Sequence, residues 1–409
     1  MRVGILTYHN SYNFGANLQV LATQKALEKQ NVTPIVVNYR SSAKYEFYQT
    51  TTSLEQAAVH ESFIEKYLTL SPLLNSTIEV EEYCLDALDA VIVGSDAVFR
   101  IQAKYDPRKF LRQLIHPDIA VSYSEGKNVL PPYWLDWKQY KCGAIPVKTS
   151  LAASAMGTKF YLLKLSLYRD LWKSIRSFDL LTVRDAWTQL MIRFISLGTI
   201  IPSYCPDPVF VLNNYFTVPS NEIPDIDVSR TILVSGKFSP EWLLNFKEIC
   251  RSSGYLLGNL PNPDQDFIFP GADIEIALPL SPLEWYSLLA RAAGYIGIRF
   301  HALVSCMING TPFLTVDSLE KYQLTGRLRS KIHDLCKRAG VLERYVTQKR
   351  LCSRPSEYVL KDLFKARTMA QCEAYVEKAK DQFMDVIDKI LKLAEMRSSG
   401  SKRFSVSKI

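Results

Sequence analysis

The eight cysteines include no C-x-x-C pair, which excludes a zinc knuckle and a thioredoxin-type redox centre. They are expected to be reduced core thiols of a cytoplasmic protein. No uninterrupted apolar run approaches the ~20 residues of a bilayer span, and the amino terminus enters a strand with no signal-peptide core. The chain is therefore expected in the cytoplasm, with peripheral contact at the inner face of the plasma membrane left open. No G-x-G-x-x-G follows a strand, so neither a nicotinamide nor a flavin cofactor is indicated. Finger, homeodomain and aromatic sheet signatures are lacking, so nucleic acid is not an expected partner. No cluster of metal ligands stands out.

What remains is a chain of 409 residues, 47% apolar and 22% charged, with a net charge of +8. That length calls for two to three domains, and that balance suits a globular enzyme. Val3-Gly-Ile-Leu-Thr-Tyr8 has the pattern of a buried strand. A polar turn follows, then a helix from Ala16 to Lys29 and a strand at Thr33–Tyr39. This βαβ start predicts a parallel sheet covered by helices. Gly15-Ala16-Asn17, where the helix begins, could cradle an anion or simply make the turn. Asp89–Asp96 is a strand closed by a tight turn. Residues 100–148 form an irregular insertion rich in Tyr, Trp, Pro and Lys, which suits sugar stacking or a packed surface loop.

A short strand is expected at Leu151–Ala155. Lys159–Arg176 follows as a basic amphipathic helix, packed on the sheet or lying on a membrane. Leu180–Val183 is a strand that delivers Arg184-Asp185, and Cys205–Leu212 closes the first half. Pro219 and Pro224 interrupt a polar linker over 213–229. A second α/β series runs over 230–393. It has a strand at Thr231–Gly236 with Lys237 just past its end, a helix at Gly326–Ala339 and a long last helix. A basic tail is expected from 394 to 409.

The second series centres on Gly294–Asp317, which parses as strand, helix and strand, with Gly310 as a left-handed helix stop. Arg299 and His301 fall at the carboxyl end of the first of these strands, where the helix begins. Ligands of open α/β sheets bind at that edge, and a helix start supplies free N–H donors to an anion. A cation and an imidazole there suggest an anionic substrate and proton transfer. Arg184 and Lys237 repeat the placement.

Five segments, in this order, resemble the polysaccharide pyruvyl transferase family. They are Asn13-Phe-Gly-Ala-Asn-Leu-Gln19, Asp89–Asp96, Thr182-Val-Arg-Asp185, Asp207-Pro-Val-Phe210, and Gly297-Ile-Arg-Phe-His-Ala302 with Gly310-Thr-Pro-Phe313. The resemblance implies two Rossmann-like domains facing a cleft in a GT-B-like glycosyltransferase architecture; the pattern along the chain puts the first over 1–212 and the second over 230–393. It implies phosphoenolpyruvate as co-substrate, no further cofactor, and a saccharide acceptor, with a lipid-linked precursor left open. Arg184 and Arg299 would hold the donor's phosphate and carboxylate, and His301 would be the acid/base group. Lys237, Asn13, Gly15, Asn17, Ser95, Asp96 and Phe300 are the further substrate-binding candidates. Two rival readings stand beside this one: a nucleotide-sugar glycosyltransferase on the same architecture, and a non-catalytic glycan-binding relative.

Overall fold

The computed structural model describes residues 1–40, 51–101, 130–137, 145–263, 269–317 and 329–406, side chains at 367 and from 400 onward excepted. Most of the 100–148 insertion therefore lies outside the described residues. Two parallel sheets organise the molecule. In the first, β1 (Arg2–Leu6), β2 (Thr33–Val36), β3 (Ala90–Val93) and β4 (Val147–Ser150) stand in the order β2-β1-β3-β4. Single bridges, Thr149 to Leu180 and Ala153 to Val183, attach the pair β5 (Thr182–Val183) and β6 (Ser203–Tyr204) at the β4 edge. In the second, β7 (Thr231–Ser235), β8 (Leu256–Asn259), β9 (Ile274–Glu275), β10 (Gly294–Gly297), β11 (Phe313–Asp317) and β12 (Tyr345–Thr347) stand in the order β12-β11-β10-β7-β8-β9.

Counted from the first strand of each half, these orders are 2-1-3-4 and 6-5-4-1-2-3, the flavodoxin-like and Rossmann orders. Each reverses direction once, beside β1 and β3 in the first sheet and beside β7 and β10 in the second. The strands read as near-continuous apolar runs because helices cover both faces: Ala90–Val93 and Thr231–Ser235 are buried throughout.

Eight helices matter to the site. These are α1 (Phe14–Glu28), α2 (Leu54–Tyr67), α3 (Leu165–Ser177), α4 (Ala186–Ile195), α5 (Pro282–Arg291), α6 (Phe300–Asn309), α7 (Lys331–Arg338) and α8 (Ala366–Val406). Their starts are legible in the chain's chemistry. Asn13, Asp185 and Ser330 cap α1, α4 and α7 through their side chains, and Ser281 with Glu284 makes a full capping box on α5 behind Pro282. Gly310 ends α6 at φ 68°, the left-handed stop its position predicts.

Several boundaries move. The strand expected at Leu151–Ala155 lies four residues earlier, because Ala152 sits at φ 52° and cannot continue the pleat. The helix expected from Lys159 begins at Leu165 after a single turn at Phe160–Leu162. Of the helix expected over Gly326–Ala339, residues 326–328 lie outside the described residues, and α7 begins at Lys331 behind its Ser330 cap. The last helix continues to Val406, through the stretch read as a tail. Its Arg397 donates to the carbonyls of Ile145 and Pro146 (3.4 and 3.1 Å) and pairs with Asp179 at 2.5 Å. That helix starts beside the second sheet and packs on β4 of the first, so it straps the halves together.

A second join runs through α2. The Gln56 amide donates to the Leu280 carbonyl at 2.7 Å and accepts from the Leu280 N–H at 2.9 Å, as a strand neighbour would. Glu222, in the expected linker, accepts from Lys66, Tyr67 and Ser281 at 2.7, 2.9 and 2.9 Å. The linker is thus pinned to both halves.

Candidate functional site

A cavity of about 290 Å³ opens where the two sheets present their carboxyl edges to each other. Tyr8 and Asn13 reach it from the loop after β1, Gly15 from the first turn of α1, and Asp96 and Ala97 from the loop after β3. Arg299, Phe300 and His301 reach it after β10, Asn262 after β8, and Lys331 after β11. The cavity therefore meets the reversal of strand order in both sheets, the place where open α/β sheets leave a crevice.

Three helices begin at this cavity. Asn13 caps α1, accepting from the Ala16 N–H at 3.1 Å, and Lys331 is the first residue of α7. No side chain caps α6, which starts at Phe300 directly behind Arg299. Its first-turn N–H groups and its dipole favour an anion there, alongside the Arg299 and Lys331 charges.

His301 is buried and lies against α1 so closely that a Cβ on Gly15 would stand 2.0 Å from its Nδ1. Only glycine permits that approach. On its other side Nε2 lies 3.5 Å from Asp207 Oδ2 and 3.5 Å from an Arg184 nitrogen. Arg184 is locked by Asp207 at 2.5 Å, by Asp96 at 3.0 Å and by the Ser95 hydroxyl at 3.1 Å. The Ser95 hydroxyl donates in turn to the Ala152 carbonyl at 3.1 Å, and its N–H donates to Gln19.

Burial alone would raise the Asp207 carboxyl. The charge and hydrogen bond of His301 and the charge of Arg184 outweigh it and hold it well below the usual carboxylate range. Asp96 is likewise held down against burial by Arg184, His301 and Lys331. Burial, followed by the repulsion of Arg184, pushes the Lys331 ammonium down to about 8, which burial and a like charge both do to a lysine. The ammonium sits 5.0 Å from the Phe300 ring centroid.

Of the residues singled out in the sequence, Asn13, Gly15, Asp96, Arg299, Phe300 and His301 line the cavity. Arg184 is brought beside His301 but does not line it, since two carboxylates already hold its guanidinium beneath the floor. Ser95 belongs to that same buried network. Asn17, in the first turn of α1, is buried, accepting from His60 Nδ1 at 3.0 Å and donating to the His9 carbonyl at 2.7 Å, and it is not among the lining residues. Lys237 is exposed and is not among the lining residues.

The described aromatics of the insertion also pack inward. Tyr133, Trp134 and Trp137 are buried, with Trp134 stacked on Phe99 at 4.4 Å. Sequence reasoning overlooked Lys331, Trp285 and the role of Asp207. The signal that could have found Lys331 is the Ser330 cap directly before it, which marks a helix start. Among the described residues no cluster of three or more metal-ligating side chains occurs.

A family model for polysaccharide pyruvyl transferase matches residues 13–319, about three quarters of the chain. The chain belongs to the polysaccharide pyruvyl transferase family. No curated protein sequence matches it. Solved structures of similar outline include the glycosyltransferase SnogD from Streptomyces nogalater, with 12% identity, 96% of this chain and 99% of that one covered, and a TM-score of 0.49. The UDP-N-acetylglucosamine 2-epimerase from Rickettsia bellii has 11% identity, 97% of each chain covered and a TM-score of 0.46. UGT71G1 from Medicago truncatula, complexed with UDP-glucose, has 12% identity, 95% of this chain and 98% of that one covered, and a TM-score of 0.46. Likeness at that level concerns architecture and says nothing of donor or acceptor.

Proposed function

We propose that this pyruvyl transferase takes pyruvate from phosphoenolpyruvate and sets it as a ketal across two hydroxyls of a saccharide. The observation that carries the reading is the convergence of Arg299, Lys331 and the uncapped start of α6 on one cavity that also holds His301. Phosphoenolpyruvate presents a carboxylate and a phosphate a few bonds apart. A guanidinium fork, an ammonium and a helix start are the donors such a pair needs.

The reaction adds a proton to the methylene carbon and joins one sugar oxygen to the neighbouring carbon, whose C–O bond to phosphate then breaks. The second hydroxyl attacks the same carbon and its proton goes to the departing phosphate, so the products are a cyclic pyruvate ketal, its methylene now a methyl group, and inorganic phosphate. His301 carries protons in this scheme, worth about 10²–10⁴-fold per assisted step. Asp207 orients its ring and stabilises the imidazolium, as a buried carboxylate does behind a catalytic histidine. Arg184 holds Asp207 in place.

Trp285 and Tyr8 on the wall offer an apolar face and a phenol to a sugar. The rival donor, a nucleotide sugar, is separated by ligand protection of the folded state. Phosphoenolpyruvate at ~100 times its Kd should raise unfolding free energy by ~2.7 kcal/mol. Protection by a nucleotide sugar and none by phosphoenolpyruvate would replace the proposal with the rival.

A further inference from the structure

Away from the cavity, α3 and α4 leave an open apolar groove of about 800 Å³ between them. Its walls include Leu165, Tyr168, Trp172, Phe194 and Leu197. Leu165 and Leu197 are 85% and 88% exposed, and Phe194 is 49% exposed. Large aliphatic tips that stand this far into solvent, side by side, mark a surface that meets something apolar.

The charges around them are predominantly positive. Arg169, Lys173, Arg176 and Arg193 are exposed and Lys164 is half-buried. The acids of residues 159–201 are otherwise engaged: Asp179 pairs with Arg397, Asp185 is buried as the α4 cap, and Asp170 lies 3.9 Å from Arg169. Trp172, with Arg176 at 4.5 Å over its ring, and Tyr168 carry the amphipathic aromatics that settle at a bilayer's headgroup level.

We infer that the α3–α4 face docks on an anionic lipid bilayer, with Leu165, Phe194 and Leu197 entering the headgroup boundary and the basic rim meeting lipid phosphates. Apolar tips framed by lysine and arginine are the two attractions an interfacial helix combines, and each cation near an anionic surface adds about fivefold to partitioning. A protein partner would have to be both acidic and apolar over this groove, whereas a bilayer is both by construction. The face is coupled to the cavity through Phe160. Its ring touches Phe194 at 5.3 Å and Trp187 at 4.9 Å, and Arg329, two residues before Lys331, lies over Trp187 at 4.8 Å. The inference does not depend on which donor the cavity takes.

Flotation of the full chain with vesicles tests it, using pure phosphatidylcholine and phosphatidylcholine mixed with phosphatidylglycerol. The protein should float with the mixed vesicles, less so as salt rises, and stay behind with the neutral ones. The double variant Leu165→Asp with Leu197→Asp should lose binding at least about tenfold. The pair Lys164→Glu with Lys173→Glu should lose it about as strongly through charge alone. Both should keep the wild-type melting temperature and the turnover of a water-soluble glycan. No flotation with either vesicle, or flotation that neither variant weakens, would overturn the inference. So would a concentration-dependent dimer that the leucine variants split, since the groove would then belong to a second copy of the chain.

Discussion

Between Gly15 and His301 there is no room for a methyl group, and that contact ties the first half of the molecule to the residue of the second that we propose as the acid/base group. Gly15→Ala should displace the imidazole. A shift of about 1 Å costs on the order of 10²-fold in turnover. Steady-state kinetics beside a thermal melt would check this: turnover falls while the melting temperature changes little.

Lys331 makes a second residue-scale prediction. Its ammonium, pushed down to about 8, loses its charge as pH rises through that value. Donor kcat/KM, which reports the free enzyme, should therefore decline above about pH 8. Lys331→Arg should move that limb to higher pH, and Lys331→Met should abolish it with a lower plateau.

Arg299 and His301 were legible in the sequence because a strand end followed by a helix start places both residues at the carboxyl edge of the sheet. Arg184 was legible in location only. Nothing in the spacing of Asp96 and Asp207 along the chain reveals that both carboxylates reach the same guanidinium. Lys237 follows a strand as Arg299 does, yet it points to solvent. The sheet-edge rule finds the rim of a site and leaves the direction of each side chain undetermined.

At the scale of elements, the turn before α1 rests on neutral histidines. Burial takes His60 down to about 3, and takes His9 to about 4 against its bonds to Asn38 and Thr7. His60 stacks between Tyr12 and Phe14, and Phe14 stacks on Trp285 in the cavity wall. The unfolded chain takes up these protons near pH 6.5 and the folded chain does so only below about 4. Their contribution is therefore intact above 6.5 and is lost as pH falls below it. Unfolding free energy should drop by up to ~2.7 kcal/mol per pH unit from two such groups. Denaturant titrations between pH 7 and 5 would measure that slope, and His60→Gln should roughly halve it. Element types were readable from apolar runs and caps. Their limits were less so, since Ala152 takes a left-handed conformation that no residue type announces.

For the molecule as a whole, the decisive feature is that two parallel sheets bring their reversal points to one cavity, held by α8, by the Gln56 clasp on Leu280 and by Glu222. The βαβ pattern of each half was visible in the sequence. The joins were not, because Gln56 and Leu280 meet only after both halves have folded. At that cavity, in the proposed reaction, a pyruvyl group passes to the saccharide. The direct measurement is phosphate release from phosphoenolpyruvate alongside mass spectrometry of the saccharide, for the wild-type chain and for His301→Ala. One phosphate should be released per pyruvyl group gained by the glycan, with both lost in His301→Ala. Undiminished transfer by that variant, or a glycan that gains a sugar from a nucleotide donor instead, would contradict it.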